Sequence, residues 1–180
     1  MPMSRPALVL RVHSVTFASV AFAALAGMPG CDPTPPTYTE PESLCGPSRA
    51  TVASVIDGDT IVLASGEKVR YLMVDAPEIT SGKHDCYGQE ARDYNADLVL
   101  GQEIALTYDE ECTDKYGRLL AYVEVSDGEV NTLLVDRGFA CVLYIPPNGG
   151  AREAEFADLE LGARQSAAGL WGACAEATCD

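Results

Sequence analysis

A small closed β-barrel carrying a few helices, an α+β fold dominated by β, is predicted by three features of this sequence. Short β-prone segments alternate with strong turn signals from Ala50 to Val74. One helical stretch follows the third strand, and two more gather towards the C-terminus. The 180 residues are 47% hydrophobic and 22% charged, the balance of a globular chain long enough to close one core.

Ala50–Ile56 alternates, and Asp57-Gly58 is a hairpin turn signal. Thr60–Leu63 is a second strand, Ser65-Gly66 a second turn and Lys68–Val74 a third strand, which together make a meander. Asp75–Gly88 is a long loop containing Pro77 and Gly82. Gln89–Leu100 reads as a helix, with Ala91, Tyr94 and Leu98 on one face and Gly101 as its stop. Glu103–Tyr108 and Leu119–Val125 are two further strands, joined by a polar loop, Asp109–Arg118. Asn131–Arg137 is a short helix stopped by Gly138, Phe139–Ile145 is apolar and extended, and Pro146-Pro147-Asn148-Gly149-Gly150 breaks it. Ala151–Ala168 is the last helix, with Ala154, Ala157 and Leu161 on one face, Phe156, Leu159 and Ala163 beside them, and Trp171 expected to fold back on the core. This order fits an OB-fold, a five-stranded antiparallel barrel with three helices.

Ahead of the domain, residues 1–30 read as a signal peptide. Arg5 and Arg11 stand in a stretch without acids, and Val15–Ala26 is an apolar run too short to span a bilayer. Two processing sites compete: Ala24-Leu25-Ala26, and Met28-Pro29-Gly30-Cys31, which resembles a lipoprotein box with Cys31 as the lipidated first mature residue. Residues 31–44, with Pro33, Pro35, Pro36 and Pro41, form a tether. The domain is expected over residues 45–174, with 175–180 as a tail. Cys45, Cys86, Cys112, Cys141, Cys174 and Cys179 are an even set, so three disulfides are expected in an exported chain. Cys86 with Cys112, and Cys141 with Cys174, are the suggested pairings, and the others stay open.

Charge restricts the function. Without Arg5 and Arg11 the twelve basic residues fall to ten against 27 acidic ones, a net charge of −17. Such a chain has no broad electrostatic attraction for nucleic acid. An acidic nuclease would rely on a bound cation and a few arginines. Zinc is disfavoured, because there is no CxxC pair and His84 is the one histidine after the leader. A triad resting on His84 is disfavoured for the same reason. Asp57-Gly58-Asp59 is not an EF-hand loop, since Val62 and Lys68 stand where glycine and glutamate are required. Alone, it is an ordinary turn. Its significance comes from a second cluster: Asp75 and Glu78 flank Pro77 at a strand end, and Arg70 precedes them on that strand. Carboxylates with a backbone carbonyl make a hard-oxygen set suited to calcium, and arginines suit a phosphodiester.

VIDGDT, VRYLMVDAPEI, YGQEA and TDKYGRLLAYV, followed by VNTLLVDRGFACVLY and GLWGAC, occur in the order found in the staphylococcal nuclease family, which the chain resembles from Thr51 to about Trp171. The resemblance implies that Asp59 and Asp75 bind Ca²⁺ through their carboxylates and Ala76 through its carbonyl, supported by Thr60. Asp57 would sit behind them. It implies that Glu78 orients or deprotonates the attacking water, and that Arg70 and Arg118 clamp the phosphate. Lys115 and Tyr116 would contact a terminal phosphate, and Tyr144 would line the base pocket. The expected function is that of an exported, monomeric, Ca²⁺-dependent endonuclease cleaving DNA or RNA to 3′-phosphate ends, either secreted or anchored to the bacterial envelope membrane through Cys31. A non-catalytic OB-fold module binding nucleic acid or protein, and a structural calcium-binding surface lipoprotein, are the alternatives. Against the first stands the presence of Asp59, Asp75, Glu78, Arg70 and Arg118 together, since non-catalytic relatives typically lose the acids or the arginines; the second leaves the paired arginines unexplained.

Overall fold

The computed structural model describes residues 43–176; the leader, Cys31, the tether as far as residue 42, and Cys179 with the end of the tail lie outside the described residues. Five strands close a barrel. β1 (Arg49–Val55), β2 (Thr60–Leu63) and β3 (Lys68–Tyr71) are the meander read from the sequence. β4 (Met73–Asp75) leaves the barrel, α1 (Gly88–Val99) follows, and β5 (Glu103–Thr113) and β6 (Leu119–Val125) complete the ring. The sheet order is β3-β2-β1-β5-β6, with β3 and β6 also paired, and β7 (Gly128–Glu129) lies on the outer side of β6. The closing β3–β6 pair is parallel, whereas an all-antiparallel barrel was expected. Topology requires this: strands cannot alternate in direction all round a ring that holds an odd number of them.

α2 (Val130–Asp136), β8 (Cys141–Leu143), a 3-10 turn (Gly150–Arg152), α3 (Glu153–Gln165) and a single-turn α4 (Leu170–Ala173) complete the chain. The core joins the inward residues of the barrel to the helices, with Ile61, Val69, Ile104, Val123, Leu134 and Phe156 fully buried. Burying such side chains is worth about 1.5–3 kcal/mol each. α3 buries Phe156 and Ala163, with Leu159 partly covered, while Ala154, Ala157 and Leu161 face solvent. The expected face was therefore rotated from the real one. The large side chain chose it: Phe156 fills the core where three small residues could not. Trp171 is half-buried beneath the Arg164 guanidinium, 3.9 Å from its ring centroid.

Two strands differ from expectation in ways that shape the site. The apolar run Lys68–Val74 reads as one strand but is two. The chain turns at Leu72, and Met73 takes φ +64°, a conformation that is costly without glycine. The fully buried Asn131 holds the break. Its Nδ2 donates to the Leu72 carbonyl at 2.8 Å and to the Ala121 carbonyl at 3.3 Å, and its Oδ1 accepts from the Val123 amide. β4 can thus pair with β8, putting Asp75 opposite Cys141.

β5 runs on to Thr113 through residues expected to be loop, with a register shift against β6 between Tyr108 and Thr113. Side chains from a distant loop keep that polar stretch in place. Buried Asn148 bonds both the amide and the carbonyl of Glu111, and Asp109 accepts from the Gly149 amide.

The disulfides are Cys45–Cys112 and Cys86–Cys174. Cys141 is disulfide-bonded as well. The suggested pairs Cys86–Cys112 and Cys141–Cys174 are therefore incorrect. The extension of β5 decides the first: β1 pairs with the start of β5, so the segment before β1 runs along its far half, where Tyr108 donates to the Pro47 carbonyl. α4 decides the second by delivering Cys174 to Cys86, two residues ahead of α1.

Candidate active site

The site begins with the turn between β1 and β2. Asp57 accepts a hydrogen bond from the Asp59 amide, the self-closing turn that aspartate favours. Gly58 is required by close approach: a Cβ there would lie 2.5 Å from the Ala76 Cβ and 2.9 Å from the Ala91 Cβ. α1 pins the turn from below. Its buried Asn95 donates to the Asp57 carbonyl and accepts from the Tyr71 hydroxyl. Burial and the charges of Asp59 and Asp57 push the Tyr71 phenol well above its ordinary range, so it stays a donor.

Asp59 is thereby buried against β4. Its Oδ2 accepts from the Ala76 amide at 2.7 Å, and its Oδ1 takes the Thr60 hydroxyl at 3.0 Å and Arg70 Nε at 3.1 Å. Arg70 spans two carboxylates, reaching Asp75 Oδ1 through Nη2 at 2.9 Å while Nη1 donates to the Tyr71 and Val74 carbonyls. Asp59, Thr60, Arg70, Asp75 and Ala76, assembled from three segments of sequence, thus form one contact cluster. Burial, then the negative charge of Asp59, pushes the Asp57 carboxyl up to about 7. Formally, the two carboxylates of Asp59 and Asp75 outnumber the one guanidinium of Arg70 that they share.

β6 brings the second arginine. Arg70 is the register partner of Leu120, and Arg118 lies two residues before Leu120, on the same face by strand alternation. Arg70, Lys115, Tyr116 and Arg118 all border one cavity of about 450 Å³, whose apolar wall includes Leu72 and Ile145. Asp114 organises this rim. Its Oδ1 accepts the amides of Tyr116 and Arg118, and its Oδ2 accepts Arg118 Nε and Nη2, both at 2.7 Å. Lys115 Nζ and the Arg118 guanidinium lie 5.0 and 5.6 Å from the centroid of the exposed Tyr116 ring.

Burial pushes the Asp114 carboxyl up, but the Arg118 amide and side-chain bonds outweigh it and leave it below its ordinary 3.8. A depressed carboxyl contributes stability above its unfolded pKa, and that contribution is lost as pH falls through the folded value. The loop should therefore stay ordered from neutral pH down to about 4 and loosen only below the ordinary aspartate range. Amide-proton spectra of Tyr116 and Arg118 would check this, and loosening near pH 6 would contradict it.

Glu78 does not border the cavity. Its Oε1 accepts both the amide and the hydroxyl of Thr80, each at 2.6 Å. The Thr80 hydroxyl is the main cause of a lowered carboxyl pKa, so Glu78 is ionised at neutral pH. Tyr144 is 37% exposed and stands between the cavity residues Leu143 and Ile145 without bordering it itself. Asn95, Asp114, Asn148 and Thr80 were missed from sequence. Asn95 left a signal, a lone amide on the buried stripe Ala91–Asn95–Val99. Asp114 left another, an aspartate four residues before an arginine across Gly117.

A family profile described as staphylococcal nuclease homologue matches residues 68–173. The chain belongs to the staphylococcal nuclease family. It is 39% identical over 102 residues to the thermonuclease of Staphylococcus intermedius, covering 54% of this chain and 61% of the relative. It is 43% identical over 104 residues to endonuclease YncB of Bacillus subtilis, covering 54% of this chain and 49% of that protein. An uncharacterized endonuclease of Escherichia coli is 36% identical over 132 residues, or 71% of this chain and 80% of its own. The chain thus spans about half to three-fifths of the first two relatives.

The family is generally calcium-dependent. Among the described residues no three Asp, Glu, His or Cys side chains converge on one point as a ready metal site. The donors present are nevertheless all oxygen, and the local negative excess around Asp59 suits a cation. Asp59, Asp75 and the Ala76 carbonyl fit a hard divalent ion.

Proposed function

We propose that this protein is an exported, Ca²⁺-dependent endonuclease that hydrolyses phosphodiester bonds of DNA or RNA and leaves 3′-phosphate ends. The observation that carries the reading is that Arg70 and Arg118 border one cavity while Arg70 also contacts Asp59 and Asp75. Acids alone would serve a structural calcium site. Two guanidinium groups beside them match an anion with several oxygens.

Asp59, Asp75 and the Ala76 carbonyl would hold calcium, with Thr60 supporting Asp59. When bound, calcium supplies positive charge that offsets the phosphodiester and lowers the cost of attack by water. Arg70 and Arg118 grip the phosphate and stabilise the charge that builds at its oxygens. Glu78, ionised, orients the attacking water or accepts its proton. Lys115 and Tyr116 meet the terminal phosphate, and Tyr144 flanks the base. With so acidic a chain, these local cations replace a basic surface, and affinity should depend weakly on salt.

Disulfide bonding of every described cysteine supports an oxidising compartment. The protein is then secreted, or anchored to the cell envelope by a lipid on Cys31, and acts as a monomer. The oxidised full-length chain, mixed with single-stranded DNA, should cleave it in calcium and stop when a chelator is added, and mass spectrometry should find 3′-phosphates. A folded, oxidised protein that leaves the strand intact would sink the reading.

A further inference from the structure

Glu78 sits on the loop between β4 and α1, away from the sheet that fixes the other site residues. Glutamate has three rotatable side-chain bonds, and holding one rotamer costs conformational entropy. A group that must direct one water needs something to select its rotamer. Within this loop two residues do so. Thr80 aims both its donors, amide and hydroxyl, at the single oxygen Oε1. Asp85 grips the main chain beneath: its Oδ2 accepts from the Glu78 amide at 3.2 Å and its own amide donates to the Glu78 carbonyl at 3.0 Å. The far end of the loop is closed as well. Cys86 is bonded to Cys174, and Gly88 packs so tightly that a Cβ there would lie 2.5 Å from Ile79 Cγ2 and 2.8 Å from the Pro77 carbonyl oxygen.

We infer that Thr80 and Asp85 are positioning residues for Glu78, Thr80 fixing its carboxylate and Asp85 the backbone that carries it. This rests on the nuclease reading above. Neither residue borders the cavity. Both act through Glu78, so their effect belongs to turnover rather than to substrate binding.

Steady-state cleavage of a single-stranded oligonucleotide in calcium tests this with wild type, Thr80→Val, Thr80→Ser, Asp85→Ala, Glu78→Gln and the double variant Thr80→Val/Glu78→Gln. Thr80→Val keeps the shape and removes the hydroxyl. It should lower kcat about tenfold to a hundredfold, as misplacement of a reacting group does, with KM within about twofold and an unchanged melting temperature. Thr80→Ser should restore most of the rate. Asp85→Ala should lower kcat in the same way; should that variant fail to fold, Thr80→Val still decides the matter. On a Glu78→Gln background, Thr80→Val should cost almost nothing further, because residues that act as one unit are not additive. A Thr80→Val enzyme with wild-type kcat overturns the inference, as does a double variant in which the two losses multiply. Should wild type itself not cleave, the nuclease reading fails and this one with it. Should Glu78→Gln slow the enzyme while Thr80→Val does not, only the positioning role fails.

Discussion

Arg118→Ala should lower kcat by about 100- to 1,000-fold, the loss expected when one preorganised donor to a developing oxyanion is removed. The fold should hardly notice. The Arg118–Asp114 pair is partly exposed, with side chains 29% and 17% accessible, and such pairs contribute at most about 1 kcal/mol. Asp114 still closes the turn through the amides of Tyr116 and Arg118. Activity and stability therefore separate at this residue. Arg118→Lys should recover little, since an ammonium cannot reproduce the guanidinium fork. Single-turnover cleavage beside a thermal melt checks both halves. A variant that lost its rate only by melting, or one that kept its rate, would show that Arg118 does not meet the phosphate.

The difference between Arg118 and Arg70 explains what could be read from sequence and what could not. Arg70 is visible as a charge on a strand and Arg118 as the residue just ahead of one, and period-two alternation places them on a common face once β3 and β6 are neighbours. The neighbourhood itself is non-local: it depends on closing a ring of five strands, which forces one parallel pair that no turn signal announces. The meander and α1 were legible because short-range pattern fixes them. The break at Leu72–Met73 was not, since an apolar run reads alike whether it feeds one sheet or two. Asn131 decides it from 59 residues away. The extension of β5 was hidden for a similar reason, because its polar residues are held by Asn148, 37 residues on. The Cys45–Cys112 pairing followed from that extension and could not be reached before it. In the site, the charged residues were readable by type, while the residues that hold the Asp57 turn, Arg118 and Glu78, namely Asn95, Asp114 and Thr80, look like ordinary polar positions.

Asp59→Ala should have the largest combined effect, because under the proposed function that one carboxylate serves both the fold and the cation. Its side chain is 7% exposed and is shared by the Thr60 hydroxyl, the Ala76 amide and Arg70. Truncation leaves the Ala76 amide without its acceptor and Arg70 with Asp75 as its remaining carboxylate. Breaking a buried pair from one side costs about 3–5 kcal/mol, and Asp75 should hold the loss near the lower end, about 3 kcal/mol. Chemical denaturation in chelator measures this term alone. Calcium supplies the second. A ligand that binds only the folded chain stabilises it by about 2.7 kcal/mol at one hundred times its Kd, so wild type should melt higher when calcium is added. Asp59→Ala should lack that increment as well as activity. Asp59→Asn separates the two roles. Its amide oxygen still accepts from Ala76, so it should cost less in chelator, yet without a charged ligand it too should gain little from calcium. If Asp59→Ala kept the full calcium shift, the cation would be held elsewhere, and the pairing of two carboxylates, Asp59 and Asp75, with the single Arg70 would need another explanation.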